Sequence, residues 1–402
     1  MVKTRGQILL TNGRVLIGGR LTKKDVLICD WGISSVKDRI PSISCDEIDC
    51  SGRIILPGMI DAHTHIRDPG FTQKEDFHTG TKAAAAGGVT TVLDMPNNKP
   101  PTLTLDDLNY KRRMASEKSV VNFGFHFGAS PHNLSEIKKV KGVASTKVFM
   151  NHSTGDMRID DPKLLEGVFR NSRMVMAHAE GDKVRQAVEL ARKTGKRLHL
   201  AHITRSDEIR WLRKNKIGNV SCEATPHHLL LDEDNSELFK VKPPLNTKGD
   251  KVALWKAVNS GLIDTIGSDH APHLLKEKKT ATTYGLPGVE TTLPLMLNAV
   301  NEGKLTLGRL AKLCCENPAR VFGIKNKGVI QKGYDADLVI VDMEEEKMVS
   351  RLYTKCRWSP YKNRLLKGWP ETTIVGGNIV YDKGRFNTKT RGREVTYKRR
   401  WA

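Results

Sequence analysis

Residues 54–65 read IILPGMIDAHTH, an apolar run that ends in two histidines two places apart. Side chains two apart on an extended chain project to the same face, so His63 and His65 can reach one metal ion. The rhythm recurs downstream. VTTVLDMPN (89–97), NFGFHFGA (122–129), TKVFMNH (146–152), RMVMAHAE (173–180), RLHLAHIT (197–204), NVSCEATPHH (219–228) and IDTIGSDHAPH (263–273) are apolar stretches followed at once by polar or reactive residues. Helical segments lie between them: EDFHTGTKAAAAGG (75–88) with its glycine stop, DKVRQAVELARKTG (182–195) and SDEIRWLRKN (206–215). Strand and helix alternate, with the chemistry just after each strand. That order predicts an α/β fold with a parallel sheet whose site sits at the C-terminal strand ends. About eight strands favour a (β/α)8 TIM-type barrel over an open sheet, spanning residues 55–324.

The flanks read differently. ILLTNGRVLI (8–17) carries Asn12-Gly13 between apolar runs, which predicts a β-hairpin. VLICDWGISSV (26–36) and DEIDCSGRIILPG (46–58) continue the β character. After NPARVFGI (317–324) the chain returns to strands in GVIQKGYDADLVIVD (328–342) and ETTIVGGNIVYDKGRF (371–386), the second with a Gly-Gly turn. The two ends, 1–54 and 325–402, are expected to pack together as a small β-sandwich domain. No internal repeat is visible.

Composition sets the limits. The 402 residues are 38% hydrophobic and 28% charged, a globular mixture. No run of roughly 18 apolar residues predicts a membrane span. The first residues, MVKTRGQILLTNGRVLIGG, lack the apolar core of a signal peptide, so a cytoplasmic location is expected. Seven scattered cysteines without a CxxC pair read as reduced thiols. The formal net charge of +21 suits a solvated basic surface, an anionic substrate or an acidic partner. Lys and Arg are spread along the chain and no nucleic-acid motif appears, so no nucleic-acid partner is expected. The most basic stretch, TKTRGREVTYKRRWA (388–402), is expected on the surface.

The chemistry-bearing residues form one series. His63, His65, His178 and His202, with Asp269 in IGSDHAPH, fall at four separate strand ends. Four imidazoles and a carboxylate suit a borderline cation such as Zn²⁺. Two metals need a bridge. Lys147, inside TKVFMNH, is a candidate, because a neutral lysine amine reacts with CO2 to give a two-oxygen carbamate. Such a bridge leaves room for a hydroxide, made available near neutral pH by the metals.

In DAHTHIRDPGFTQKEDFHTGT (61–81), AAAAGGVTTVLDMPNN (83–98), TKVFMNHSTGD (146–156), AHAE, LAHIT, EATPHHLLL (223–231), VKPPLN (241–246), GSDHAPH (267–273) and YGLPGVET (284–291), the chain resembles the dihydroorotases of the amidohydrolase superfamily. The resemblance covers nearly its full length. It implies His63, His65, Lys147, His178, His202 and Asp269 as ligands of two zinc ions per subunit, with Lys147 carboxylated as the bridge. It implies Asp269 as the general acid/base beside a bridging hydroxide. Arg67, Asn97 and His273 are implied as substrate ligands, the guanidinium of Arg67 suiting a carboxylate. Lys242, Tyr284 and Gly285 match positions that touch the substrate ring, although relatives vary at 242. Ser153 or Thr154 matches a loop that covers substrate in some relatives. Ala201 stands where some relatives carry a cysteine, which argues against an additional metal site. His78, His126, His132, His152, His199, His227 and His228 read as surface or supporting groups, with His227 and His228 the nearest to the site.

The reaction so implied is reversible, zinc-dependent cyclisation of N-carbamoyl-L-aspartate to (S)-dihydroorotate with loss of water, a step of pyrimidine biosynthesis. Allantoinases and dihydropyrimidinases share the barrel, the HxH pair, the lysine and the aspartate; Arg67 and His273 separate them. Inactive scaffold relatives lose ligands, and all six are present here. The expected partner is the small-molecule substrate, with a homo-oligomer or association with aspartate transcarbamoylase left open.

Overall fold

The computed structural model describes residues 6–41, 44–152, 157–235, 237–280, 283–387 and 389–398. Its middle is a series of parallel strands: β1 (Met59–Thr64), β2 (Val89–Asp94), β3 (Asn122–Phe125, resumed at Phe127–Gly128), β4 (Thr146–Phe149), β5 (Met174–His178), β6 (Arg197–Leu200), β7 (Val220–Ala224) and β8 (Thr265–Ile266). Each pairs in parallel with the next, apart from the break in β3 at His126. There the His126 N–H donates to Asp94 O (2.9 Å) and the Phe127 N–H to Ser145 O (2.9 Å), so the ladder is carried across. Beyond β8, Thr64 and His270 form a parallel bridge, and the His65 N–H donates to His270 O (2.7 Å), which returns the last strand to the first.

The strands are apolar on both faces because helices cover one side and other strand side chains fill the other. Val92, Phe123, Phe125, Val148, Val175 and Leu198 are fully buried in one cluster with Val188 and Leu212 from the helices. Helix boundaries follow local chemistry. Thr104 and Thr247 cap Leu105–Lys118 and Lys248–Asn259, each exchanging bonds with an aspartate three residues on. Gly195 closes Asp182–Thr194 in the left-handed conformation. The parallel α/β order expected from the sequence is present.

Both chain ends build the flanking sheets. A seven-stranded sheet runs Arg385–Phe386, Asn378–Asp382, Leu365–Val375, Leu338–Met348, Ile54–Pro57, Arg14–Ile17, Arg20–Lys23. A four-stranded sheet runs Gly32–Lys37, Asp25–Cys29, Gln7–Thr11, Asp46–Asp49. Leu10, Val26 and Ile28 of the smaller sheet share one core with Val15, Ile55, Leu338 and Ile374 of the larger.

Three local expectations need correction. Asn12-Gly13 is not a hairpin: Gln7–Thr11 pairs in the four-stranded sheet and Arg14–Ile17 in the seven-stranded one. Asn12 sits at φ 59° and donates through Nδ2 to Asp49 Oδ1 (2.9 Å). A Cβ on Gly13 would lie 2.8 Å from Ile55 Cδ1, so glycine lets the corner pass from sheet to sheet under that side chain. The hairpin lies one turn later, at Gly18-Gly19, with Ile17 opposite Arg20. Second, residues 54–64 are two strands. Ile54–Pro57 pairs with Leu338–Met348, and only Met59 onward joins the parallel series. At Gly58 a Cβ would meet Thr90 at 2.2 Å, so the crossing from one layer to the next needs glycine. Third, the basic tail is partly buried. Val395 is 5% exposed, its N–H donates to Phe123 O (2.8 Å), and Phe123 donates to Arg393 O (3.1 Å), which laces the tail to β3.

Candidate active site

The C-terminal strand ends converge on one cavity lined by His63, His65, Arg67, Asn97, Lys147, His178, His202, Lys242, Asp269, Tyr284 and Gly285. His273 stands behind Arg67 rather than in the lining. Ser153 and Thr154 lie outside the described residues. Three of the converging residues, Arg67 (φ 67°), His202 (φ 38°) and Asp269 (φ 46°), adopt the left-handed backbone that non-glycine residues seldom take. Each lies two or three residues past a strand end, where that turn aims a side chain into the cavity.

Hydrogen bonding fixes which nitrogens are free. The His63 Nδ1–H donates to Glu223 Oε1 (2.6 Å) and the His65 Nδ1–H to Asn97 Oδ1 (2.7 Å). In the neutral rings both Nε2 atoms then carry lone pairs, and both face Asp269 Oδ1, at 3.2 and 3.1 Å. Burial lowers the pKa of His65 to about 4, so no proton resides there near neutrality. The Asp269 carboxyl is held well below its ordinary range: burial opposes ionisation, and the surrounding imidazoles of His63, His65 and His202 outweigh it. Two lone pairs and a carboxylate aimed at one point make a divalent-cation site, and His63, His65 and Asp269 have ligand atoms within 4.8 Å of one another.

A second convergence adjoins it. The His178 Nε2–H donates to Glu180 Oε1 (3.0 Å), which turns the bare Nδ1 of His178 toward His202 Nε2 at 3.0 Å. Burial depresses the pKa of both rings. The rings of His63 and His202 lie 5.5 Å apart, so the two convergences are neighbours. Lys147, 1% exposed on β4, has no hydrogen-bond partner for its Nζ among the described residues. Burial lowers its pKa to about 8, against the pull of Glu223 and Asp269.

The opposite wall is cationic. Arg67, 5% exposed, donates through Nε to Pro272 O (3.2 Å) and places Nη2 3.1 Å from His273 Nε2. Lys242 Nζ lies 4.4 Å over the Tyr284 ring and donates to His152 O (3.2 Å). Gly285 closes this wall at φ 129°, where a Cβ would strike Ala271 at 2.6 Å. Asn97, with its Oδ1 engaged by His65, has its Nδ2 left to donate into the cavity.

Sequence reading missed Glu223. It is fully buried, orients His63, and lies 3.5 Å from His199 Nε2. A lone carboxylate inside the strand VSCEA was the available signal, since a buried charge needs a partner. Among the histidines given a supporting reading, His126 and His199 are fully buried, while His132 and His152 are exposed. His228 bonds Pro243 O (3.0 Å) and so supports the Lys242 loop.

Parallel strands that deliver imidazoles and a carboxylate to a metal site define a class of hydrolase, and the match to the Amidohydrolase family model over residues 54–380 places this chain in that family. Its relatives sharpen the position. A dihydroorotase of Pyrococcus furiosus is 35% identical over 97% of this chain and 96% of its own length. One from Methanosphaera stadtmanae is 38% identical over 83% of this chain and 86% of its own. Among solved structures, the L-hydantoinase (dihydropyrimidinase) of Arthrobacter aurescens superposes with a TM-score of 0.92 at 29% identity, covering 97% of this chain and 99% of that one.

Proposed function

We propose that this cyclic-amide hydrolase is a dihydroorotase, interconverting N-carbamoyl-L-aspartate and (S)-dihydroorotate. One observation carries the choice within the family. Arg67 is a buried guanidinium that no carboxylate pairs with among the described residues, on the cavity wall facing the metal site. Burial lowers its pKa only to about 10, so it stays charged and calls for an anion. Dihydroorotate brings a carboxylate to that point; a dihydropyrimidine or hydantoin does not.

The residues fit a pair of zinc ions. His63, His65 and Asp269 would hold one and His178 and His202 the other, with Lys147 as its carbamate shared by both; a buried amine with no hydrogen-bond partner among the described residues supports that role. Bound metal would supply Lewis acidity for the ring amide and for water. The rest falls to the chain. Arg67 and the Nδ2 of Asn97 orient the substrate through its carboxylate and ring. In hydrolysis water adds at C4 and the C4–N3 bond breaks. Asp269, ionised, takes the proton from the attacking water at its carboxylate and delivers it to N3. Cyclisation runs the same transfers backwards and releases one water. The parallel series is proposed to close as a (β/α)8 barrel from Met59 to about residue 324, not from 55, because Ile54–Pro57 belongs to the flanking sheet; the Thr64–His270 bridge supports the closure. The flanks 1–54 and 325–402 are proposed to form a β-sandwich around their shared core.

Chelation should abolish turnover of N-carbamoyl-L-aspartate at mildly acidic pH, and zinc should restore it. A zinc-replete protein that leaves this compound unchanged, yet opens hydantoin or dihydrouracil, would overturn the reading.

A further inference from the structure

Behind Arg67 and His273 stands a third cation. Lys74 Nζ lies 3.1 Å from His273 Nδ1 and 3.3 Å from Glu277 Oε1. An ammonium only donates, so His273 Nδ1 accepts and the ring proton sits on Nε2. Nε2 then donates to Tyr284 O (3.1 Å) and lies 3.1 Å from Arg67 Nη2. The opposite tautomer has a ready acceptor, because Glu277 Oε2 lies 3.7 Å from Nδ1. In that tautomer Nε2 would accept from Arg67 Nη2, tying up a guanidinium N–H, and would lose its bond to Tyr284 O. Trp358 Nε1 donates to His273 O (2.7 Å), which anchors the backbone.

We infer that Lys74 is a positioning residue for substrate recognition: its ammonium holds His273 as the Nε2–H tautomer, which donates to Tyr284 O and leaves the Nη2–H of Arg67 free for the substrate carboxylate. The inference rests on the dihydroorotase reading. Burial and the charges of Arg67 and Lys74 lower the pKa of His273 to about 2, so the ring is neutral and its tautomer decides what it offers. Glu277 balances the charge of Lys74 at 3.3 Å, which lets the ammonium act on the ring without leaving an uncompensated buried cation.

The test uses zinc-replete enzyme with N-carbamoyl-L-aspartate and dihydroorotate. Lys74→Met should raise KM about tenfold, the equivalent of one misdirected hydrogen bond, with kcat within about twofold. Lys74→Arg should restore most of the affinity. Adding Glu277→Gln to Lys74→Met should recover part of it, because the group that draws the proton to Nδ1 is weakened. An unchanged KM in Lys74→Met, a loss confined to kcat, or a double variant no better than the single overturns the inference. ¹⁵N spectra of histidine-labelled wild-type enzyme, with His273 assigned by loss of its signal in His273→Gln, read the tautomer directly. A protonated Nδ1 overturns the inference even if Lys74→Met does not fold. Wild-type enzyme inactive on both compounds would instead sink the dihydroorotase reading.

Discussion

At the scale of single residues, the site sets function against stability. Lys147 is a buried amine without a hydrogen-bond partner among the described residues, its Nζ only facing the Phe149 ring at 5.3 Å, an arrangement that costs folding energy unless something engages it. Lys147→Met should therefore abolish activity while raising the stability of metal-stripped protein by roughly 1–3 kcal/mol. Thermal melts in chelator decide this; a lower melting temperature would mean the amine has a stabilising partner. Asp269 separates metal holding from proton transfer. Asp269→Asn should lower kcat by about 10²- to 10⁴-fold while His63 and His65 keep most of the bound metal. Rate and metal content measured on one preparation test it, and a near-normal rate refutes the base role. Asp269 was legible in the sequence because it follows an apolar run, where pattern and chemistry coincide, and Lys147 because it is a cationic residue inside one. Glu223 was not, because its meaning lies in the 2.6 Å contact with His63, 160 positions away.

At the scale of elements, periodicity gave strands and helices but not which sheet a strand enters. Residues 54–64 are apolar throughout, and no pattern in them marks the switch at Gly58, which is set by the approach of Thr90. Asn12-Gly13 has hairpin chemistry, yet side-chain burial beneath Ile55 turns it into a corner. Contacts between elements also hold a titrating group. Glu290, just ahead of helix Thr292–Asn301, accepts the Tyr353 N–H (2.9 Å) and Thr354 N–H (3.1 Å) and so ties that helix to the loop before the long C-terminal strand. Burial pushes its pKa from 4.5 to about 8, against those two hydrogen bonds. Between these values the folded protein keeps a proton that the unfolded chain has released. Its contribution to stability therefore declines as pH rises from 4.5 to about 8 and is level beyond. Glu290→Gln should flatten that decline. Denaturant midpoints at about pH 5 and pH 8.5 measure the difference, and an equal slope in both proteins would rule out Glu290 as its source.

At the scale of the whole molecule, 66 basic against 45 acidic residues leave a formal charge of +21 around a cavity that takes anions. The sequence showed the sum but not its placement, since the Lys and Arg are scattered along the chain and only the fold brings Arg67 and Lys242 to one wall. Salt should therefore act in two opposing senses. Self-repulsion of the folded state is screened, so stability rises with ionic strength. Attraction of substrate is screened too, so kcat/KM falls, mainly through KM, as salt goes from about 0.01 M to 0.3 M and the screening length contracts from about 30 Å to under 10 Å. The fall should be steeper for N-carbamoyl-L-aspartate, a dianion, than for dihydroorotate, a monoanion, because attraction scales with the charge drawn in. Lys242→Ala should shallow both slopes with kcat nearly unchanged, because Lys242 sits at the cavity wall, stacked on Tyr284. Equal slopes for the two substrates would assign the salt effect to the protein's own stability, and a flat kcat/KM would leave the basic surface with no part in capturing substrate.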